Sequence, residues 1–163
     1  MTNNQNTNGG ILAGVVVLDL TQMLAGPYCT MILADHGADV IKIEPPHGDM
    51  SRGLGPYAAL DKKRENSGYF HSINRNKRSI ILNLKKEYDR EIFFQMVAKA
   101  DVVIENFRAG VMERLGLSYE KLLEVNNKLV YATIRGFGDH RTGKGPYNDW
   151  PAFDIVAQAM GGF

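Results

Sequence analysis

The sequence predicts an α/β domain whose core is a Rossmann-like, mainly parallel sheet flanked by helices. Apolar runs of strand length, rich in Val and Ile and lacking polar alternation, recur at Val15–Leu20, Ala38–Ile43 and Asp101–Glu105. Strands covered on both faces, as in a parallel sheet, have that composition. Segments of helical period lie between the runs, and alternating strands and helices join parallel strands through βαβ crossovers. At 163 residues the chain has the length of one domain.

Each element has its own justification in chain order. Residues 1–10, MTNNQNTNGG, hold almost nothing apolar and are expected to form a mobile tail. Val15–Leu20 is the first strand. After the loop TQMLAG, Pro27 stands where a proline starts a helix, Met31, Ile32 and Ala34 share a face, and Gly37 stops it. Ala38–Ile43 is the second strand, closed by Pro45 and Pro46, so residues 15–44 make a βαβ unit of the usual ~30 residues. From Pro45 to Ser72 no period is sustained, and the reading is an irregular segment with a turn of helix around Tyr69. Ser79–Leu84 is the third strand. Glu87–Ala100 is an amphipathic helix with Ile92, Phe93, Met96, Val97 and Ala100 on one side. Asp101–Glu105 is the fourth strand, RAGVMERLG and SYEKLLEVN are short helices, and Lys128–Arg135 is the fifth strand. No repeat or linker divides residues 11–163, which read as one unit.

Composition excludes several classes of function. A balance of 44% hydrophobic and 23% charged residues suits a globular chain, and no apolar run approaches the ~20 residues needed to span a bilayer. Nineteen Lys and Arg against eighteen Asp and Glu leave a net charge of +1, so no global field attracts nucleic acid or anionic lipid, and any anion site is local. Cys29, a single cysteine, cannot form an internal disulfide. The first ten residues lack the charged and apolar regions of a signal peptide, which points to the cytoplasm.

Several motifs need weighing. The βαβ unit ending at Glu44 imitates a dinucleotide fold, but only Gly26 stands where three glycines would admit a pyrophosphate. Gly138-Asp-His-Arg-Thr-Gly-Lys-Gly145 imitates a phosphate loop and fails at its last position, where Ser or Thr is needed; a Gly-rich surface loop accounts for it. Arg75, Lys77, Arg78, Lys85 and Lys86 bracket one strand, either as solvated gatekeepers or as partners for a phosphate-bearing ligand. Cys29 reads as a small core residue or as a thiol in a first helical turn. His36, His47, His71 and His140 lack metal-ligand spacing, so no metal is expected. Asp154, in an apolar helix-like stretch, is either a carboxylate with a shifted pKa or a helix cap.

Taken together, certain strings are specific. They are VLDLT at 17–21 with AGP at 25–27, GADVIKIE at 37–44, GDMSR at 48–52, NRNKRS at 74–79, DVVIENFR at 101–108, and the segments Gly110–Gly116, Gly136–Gly138 and Phe153–Gly162. In that order and spacing the chain resembles the amino-terminal part of the class III CoA-transferases, the family of formyl-CoA transferase and the carnitine CoA-transferase. The resemblance implies transfer of CoA between carboxylic acids through an aspartyl-CoA thioester, with acyl-CoA and an acid as partners and coenzyme A as the group carried. Carried over by motif, Leu84, Lys85, Asn106, Phe107 and Arg114 are the CoA-contacting residues, and Asp154 lies near the reaction centre.

Departures from the family shape the rest of the expectation. Pro45 replaces an arginine near the nucleotide, Leu24 replaces a glutamine close to the chemistry, and Phe153 replaces the histidine of the related racemases, which argues against racemisation. The family's nucleophilic aspartate follows the Phe-Asp helix, so no residue of the 163 takes that role, and the domain is expected to be incomplete at its carboxyl end and inactive alone. The resemblance also implies that full-length members form interlocked homodimers. The alternatives are a CoA- or adenine-nucleotide-binding fragment and a nonfunctional remnant.

Overall fold

The computed structural model describes residues 9–162 apart from 65 and 144. Most of the expected tail (residues 1–8), Lys144 of the glycine-rich loop and Phe163 lie outside the described residues.

Five strands form one sheet in the order β3-β2-β1-β4-β5, every neighbouring pair parallel. The elements are β1 (Val16–Asp19), α1 (Ala25–Asp35), β2 (Asp39–Glu44), a 3-10 turn (Met50–Gly53), α2 (Gly68–Asn74), β3 (Lys77–Ile81), α3 (Glu87–Val97), β4 (Val102–Glu105), α4 (Val111–Arg114), α5 (Tyr119–Val125), β5 (Val130–Thr133) and α6 (Asp154–Gly161). The chain builds outward from β1 to β3, then returns to place β4 against β1. Loops leaving β1 and β4 therefore diverge, and in such sheets a ligand crevice opens outside the carboxyl ends at that point.

Alternation along the strands assigns the two faces. Val17, Val40 and Ile104 join Ala34 and Ala38 on the α1 side. Leu18, Ile43 and Val103 join Phe93 and Val97 of α3, Met112 of α4 and Leu122 of α5 on the other. Phe93 and Val97 are fully buried, each contributing roughly 1.5–3 kcal/mol. Gly26 is required where α1 meets the loop after β1, because a Cβ there would lie 2.3 Å from Thr21 Cβ.

The expected element order is present, with shifted boundaries. β3 runs from Lys77 to Ile81 rather than from Ser79 to Leu84, since its ladder partner β2 ends at Glu44 and Pro46, the next position facing β3, offers no N–H to continue it. Asn83 N–H turns instead to Asp89 Oδ2, 2.7 Å away. The segment 45–72 carries more structure than a lone turn: Asp49 caps the 3-10 turn, and Ser67 Oγ accepts from Phe70 N–H to start α2. No residue of α6 is buried; Ile155 is 74% and Met160 53% exposed. No helix among the described residues is long and apolar enough to cross a membrane.

Candidate functional site

The carboxyl edge of the sheet is assembled from the loops that follow β1, β2, β3 and β4. Charged residues inside the strands hold the first two. Asp19 and Lys42 are adjacent across the β1–β2 ladder, and both are sealed from solvent. Asp19 Oδ2 accepts from Thr30 Oγ1 at 2.6 Å and from Lys77 Nζ at 3.0 Å. Lys77 Nζ also donates to Pro27 O and Asn74 Oδ1, both at 2.8 Å. Burial acts to lower the Lys77 pKa and outweighs the opposing Asp19 charge.

Lys42 Nζ donates to Thr21 O and pairs with Asp49 Oδ2, each at 2.8 Å. Asp49 Oδ1 accepts from Ser51 N–H, Ser51 Oγ and Met23 N–H. Burial works to raise the Asp49 pKa, but Lys42 and Ser51 together hold it below the usual range. Glu44 receives Arg52 bidentately at 2.7 and 2.6 Å, with Ser79 Oγ and Asp49 N–H as further donors. Against the opposing effect of burial, these donors bring the Glu44 pKa down to about 2.

The five residues expected to contact CoA divide between two places. Leu84 packs against the α3-side core, and Lys85 is exposed. Arg90 Nη1 donates to both their carbonyls, at 3.3 and 3.1 Å. Arg90 and Arg114 line one cleft of about 500 Å³ between α3, α4 and α5, together with Lys121, Phe94 and Leu115. Glu87, Glu91 and Glu124 also line it, so its charge is balanced rather than strongly positive. Asn106 and Phe107 instead leave β4 beside the β1 loop. Asn106 Oδ1 accepts from Gln22 N–H at 2.8 Å and its Nδ2 donates to Gln22 O at 2.7 Å. Phe107 N–H donates to Glu105 Oε2, and its ring packs against the α3-side core.

Asp154 stands apart from this group. It is the exposed first residue of α6, the cap position belongs to Phe153, and Asp154 Oδ2 accepts from Gln158 Nε2 one turn on. Cys29 is the fifth residue of α1 rather than part of its first turn, and is half-buried. Three of the five bracketing cations are committed to carboxylates: Arg75 to Asp35, Lys77 to Asp19 and Arg78 to Asp39. They sit at the amino end of β3, so the phosphate reading keeps only Lys85 and Lys86.

Sequence reasoning missed Arg90 and the Asp19–Lys42–Asp49–Lys77 lattice. Both had a signal. Arg90 is a cation in the first turn of a predicted helix, and Asp19 and Lys42 are charges inside strands expected to be buried on both faces, where an unpaired charge is not tolerated.

An all-parallel five-stranded sheet flanked by helices, with a reversal of strand order between β1 and β4, defines an open, Rossmann-like α/β protein. The model described as CoA-transferase family III matches residues 12–163, and the chain belongs to that family. It is 54% identical over 153 residues to succinyl-CoA:mesaconate CoA-transferase of Haloarcula marismortui, covering 94% of this chain and 39% of that protein. It is 52% identical over 154 residues to acetyl-CoA:oxalate CoA-transferase of Acetobacter aceti, with 94% and 37% covered. The crystal structure of a CAIB/BAIF family protein from Brucella suis superposes with a TM-score of 0.85 at 44% identity, covering 94% of this chain and 39% of that one. The chain thus spans about two fifths of the length of the curated relatives it matches.

Proposed function

We propose that this chain supplies the coenzyme-binding part of a CoA-transferase that moves CoA between carboxylic acids. The observation that carries the reading is family membership over residues 12–163; Leu84, Lys85, Asn106 and Phe107 lie in the loops after β3 and β4, and Arg114 ends α4. Lys85 and Arg114 would meet the phosphates of the acyl-CoA, since ammonium and guanidinium groups pair strongly with phosphate oxygens. Leu84 and Phe107 would offer apolar surface to the base. Arg90 supports the set by fixing the Leu84 and Lys85 carbonyls.

In the reaction as the family resemblance implies it, an aspartate carboxylate attacks the thioester carbonyl and CoA leaves as thiolate, giving a mixed anhydride. The thiolate then attacks the aspartyl carbonyl and releases the first acid, leaving an aspartyl-CoA thioester. Attack by the acceptor carboxylate and return of the thiolate complete the transfer. We assign no residue of the 163 as nucleophile, and the resemblance implies only that Asp154 lies near the reaction centre.

Calorimetric titration of the chain tests the reading. CoA and adenosine 3′,5′-bisphosphate are both expected to bind, and Arg114→Ala to weaken both by about tenfold, the size of one lost charge-assisted contact. Absence of heat and of a thermal shift at near-millimolar CoA would sink it. Residues 1–163 alone are expected to show no turnover; activity of the highly purified chain that disappears on Asp154→Ala contradicts that expectation.

A further inference from the structure

The loop after β1 is held in an unusual way. Its backbone polar groups from Thr21 N–H to Met23 N–H bind side chains, one after another. Thr21 N–H donates to Asp19 Oδ1 at 2.9 Å, and Thr21 O accepts from Lys42 Nζ at 2.8 Å. Gln22 N–H donates to Asn106 Oδ1 at 2.8 Å, Gln22 O accepts from Asn106 Nδ2 at 2.7 Å, and Met23 N–H donates to Asp49 Oδ1 at 3.3 Å. Those side chains come from β1, β2, the end of β4 and the start of the 3-10 turn, and Asn106 reaches across 84 positions of sequence. Within this frame Met23 takes φ +70°, a left-handed conformation that favours glycine. A non-glycine residue persists there only where its surroundings over-determine it, and such residues gather at functional sites.

The loop also occupies the point where the strand order reverses, between the carboxyl ends of β1 and β4. Leu24, 48% exposed, follows directly and leads into α1. We propose that Asn106 is a positioning residue rather than a nucleotide contact: it latches the Thr21–Leu24 loop so that Gln22, Met23 and Leu24 meet the thioester end of an acyl-CoA in one fixed conformation. This rests on the CoA-binding reading above and narrows the CoA-contacting role that the family resemblance implies for Asn106. Both polar ends of the Asn106 amide are already engaged by Gln22, so its effect on the ligand passes through the loop. Phe107, the next residue, shares the β4 exit, so the nucleotide side and the thioester side of the edge are joined through one dipeptide.

The test compares two ligands and one rescue. In Asn106→Ala the residue-22 and residue-23 amides are expected to exchange with solvent at least tenfold faster, while Val17 and Val103 amides in the central strands keep their rates. CoA affinity should fall about tenfold, and adenosine 3′,5′-bisphosphate, which lacks the pantetheine and thiol, should bind within twofold of wild type. Adding Met23→Gly removes the steric cost of positive φ, and should restore residue-23 protection through Asp49. Equal losses for both ligands would show a direct nucleotide contact and overturn the proposal, as would unchanged amide exchange. If Asn106→Ala does not fold, wild-type exchange decides: the Gln22 amide is expected to be at least 100-fold slower than a free loop amide, and a free rate refutes the latch. Wild-type protein that binds neither ligand removes the CoA reading, while the exchange data still decide the loop.

Discussion

Each face of the sheet buries a carboxylate at the end of a strand, and the two are handled differently. Asp19, on the α1 face, belongs to a closed lattice in which Lys77 and Lys42 are as sealed as the carboxylates they meet. Glu105, on the α3 face, is fully buried too, but its partner Arg135 leads outward to Asp139 and then to Arg141, which is 31% exposed and covers the Tyr131 ring at 4.9 Å. The closed lattice spans residues 19–77 and fixes the two loops beside the strand reversal. The open chain ties the 135–141 segment to β4 and β5. The difference teaches that buried charge serves different ends here: sealed pairs fix backbone, and a graded series anchors a connection that reaches the surface.

Breaking the closed lattice should have the largest effect. Lys42→Met leaves the Asp49 carboxylate and the Thr21 carbonyl buried without their donor, and stability is expected to fall by about 3–5 kcal/mol. Urea unfolding reads this as a lower midpoint at unchanged slope; a loss below about 1 kcal/mol would mean that water replaces the ammonium.

Glu105→Gln breaks the open chain and should cost about 1 kcal/mol or less. Burial pushes the Glu105 pKa up and Arg135 only partly offsets this, so ionised Glu105 is held at a cost that Gln does not carry. Arg135 also keeps Asp139 at 2.8 Å. A loss equal to that of Lys42→Met would erase the contrast between the faces.

The finest test is the slope of stability with pH. Glu44 is lowered from 4.5 to about 2 on folding, so its contribution is present above pH 4.5 and is lost as pH falls from 4.5 through about 2. The acid limb should be flatter in Glu44→Gln. Glu105 acts with the opposite sign: its raised folded value favours the protonated form, so stability falls as pH rises from its ordinary value through the folded one. An acid limb that stays as steep without Glu44 would assign the effect to other carboxylates.

Helix position and strand order in the chain were legible because they depend on neighbours. The α1 prediction rested on Pro27 and Gly37; the observed helix starts two residues before Pro27, which is its third residue, and ends two residues before Gly37. α2 was under-read because its signal is one capping serine, Ser67, in a segment without period. The contact set was legible only through family motifs. Nothing in the spacing of Leu84, Lys85 and Arg114 shows that Arg90 links them, and nothing local to Asn106 announces Gln22 as its partner.

α1 and α6 show the same limit in another form. Both are apolar, yet α1 buries five residues and α6 buries none among those described. Apolar composition states that a face seeks cover, but only the packing of other elements supplies it.

By itself the sequence determined the α/β class, the alternation of elements, their approximate limits and the family, since these follow from short-range periodicity and ordered motifs. Tertiary structure alone decided which charges pair, which of the bracketing cations are committed to carboxylates, and how the Thr21–Leu24 loop is held. The physical reason is distance along the chain. The bonds that tie the loop to the rest of the sheet, from Lys42 to Thr21 and from Asn106 to Gln22, join residues 21 and 84 positions apart, and their strength comes from removal from water, which no local pattern specifies.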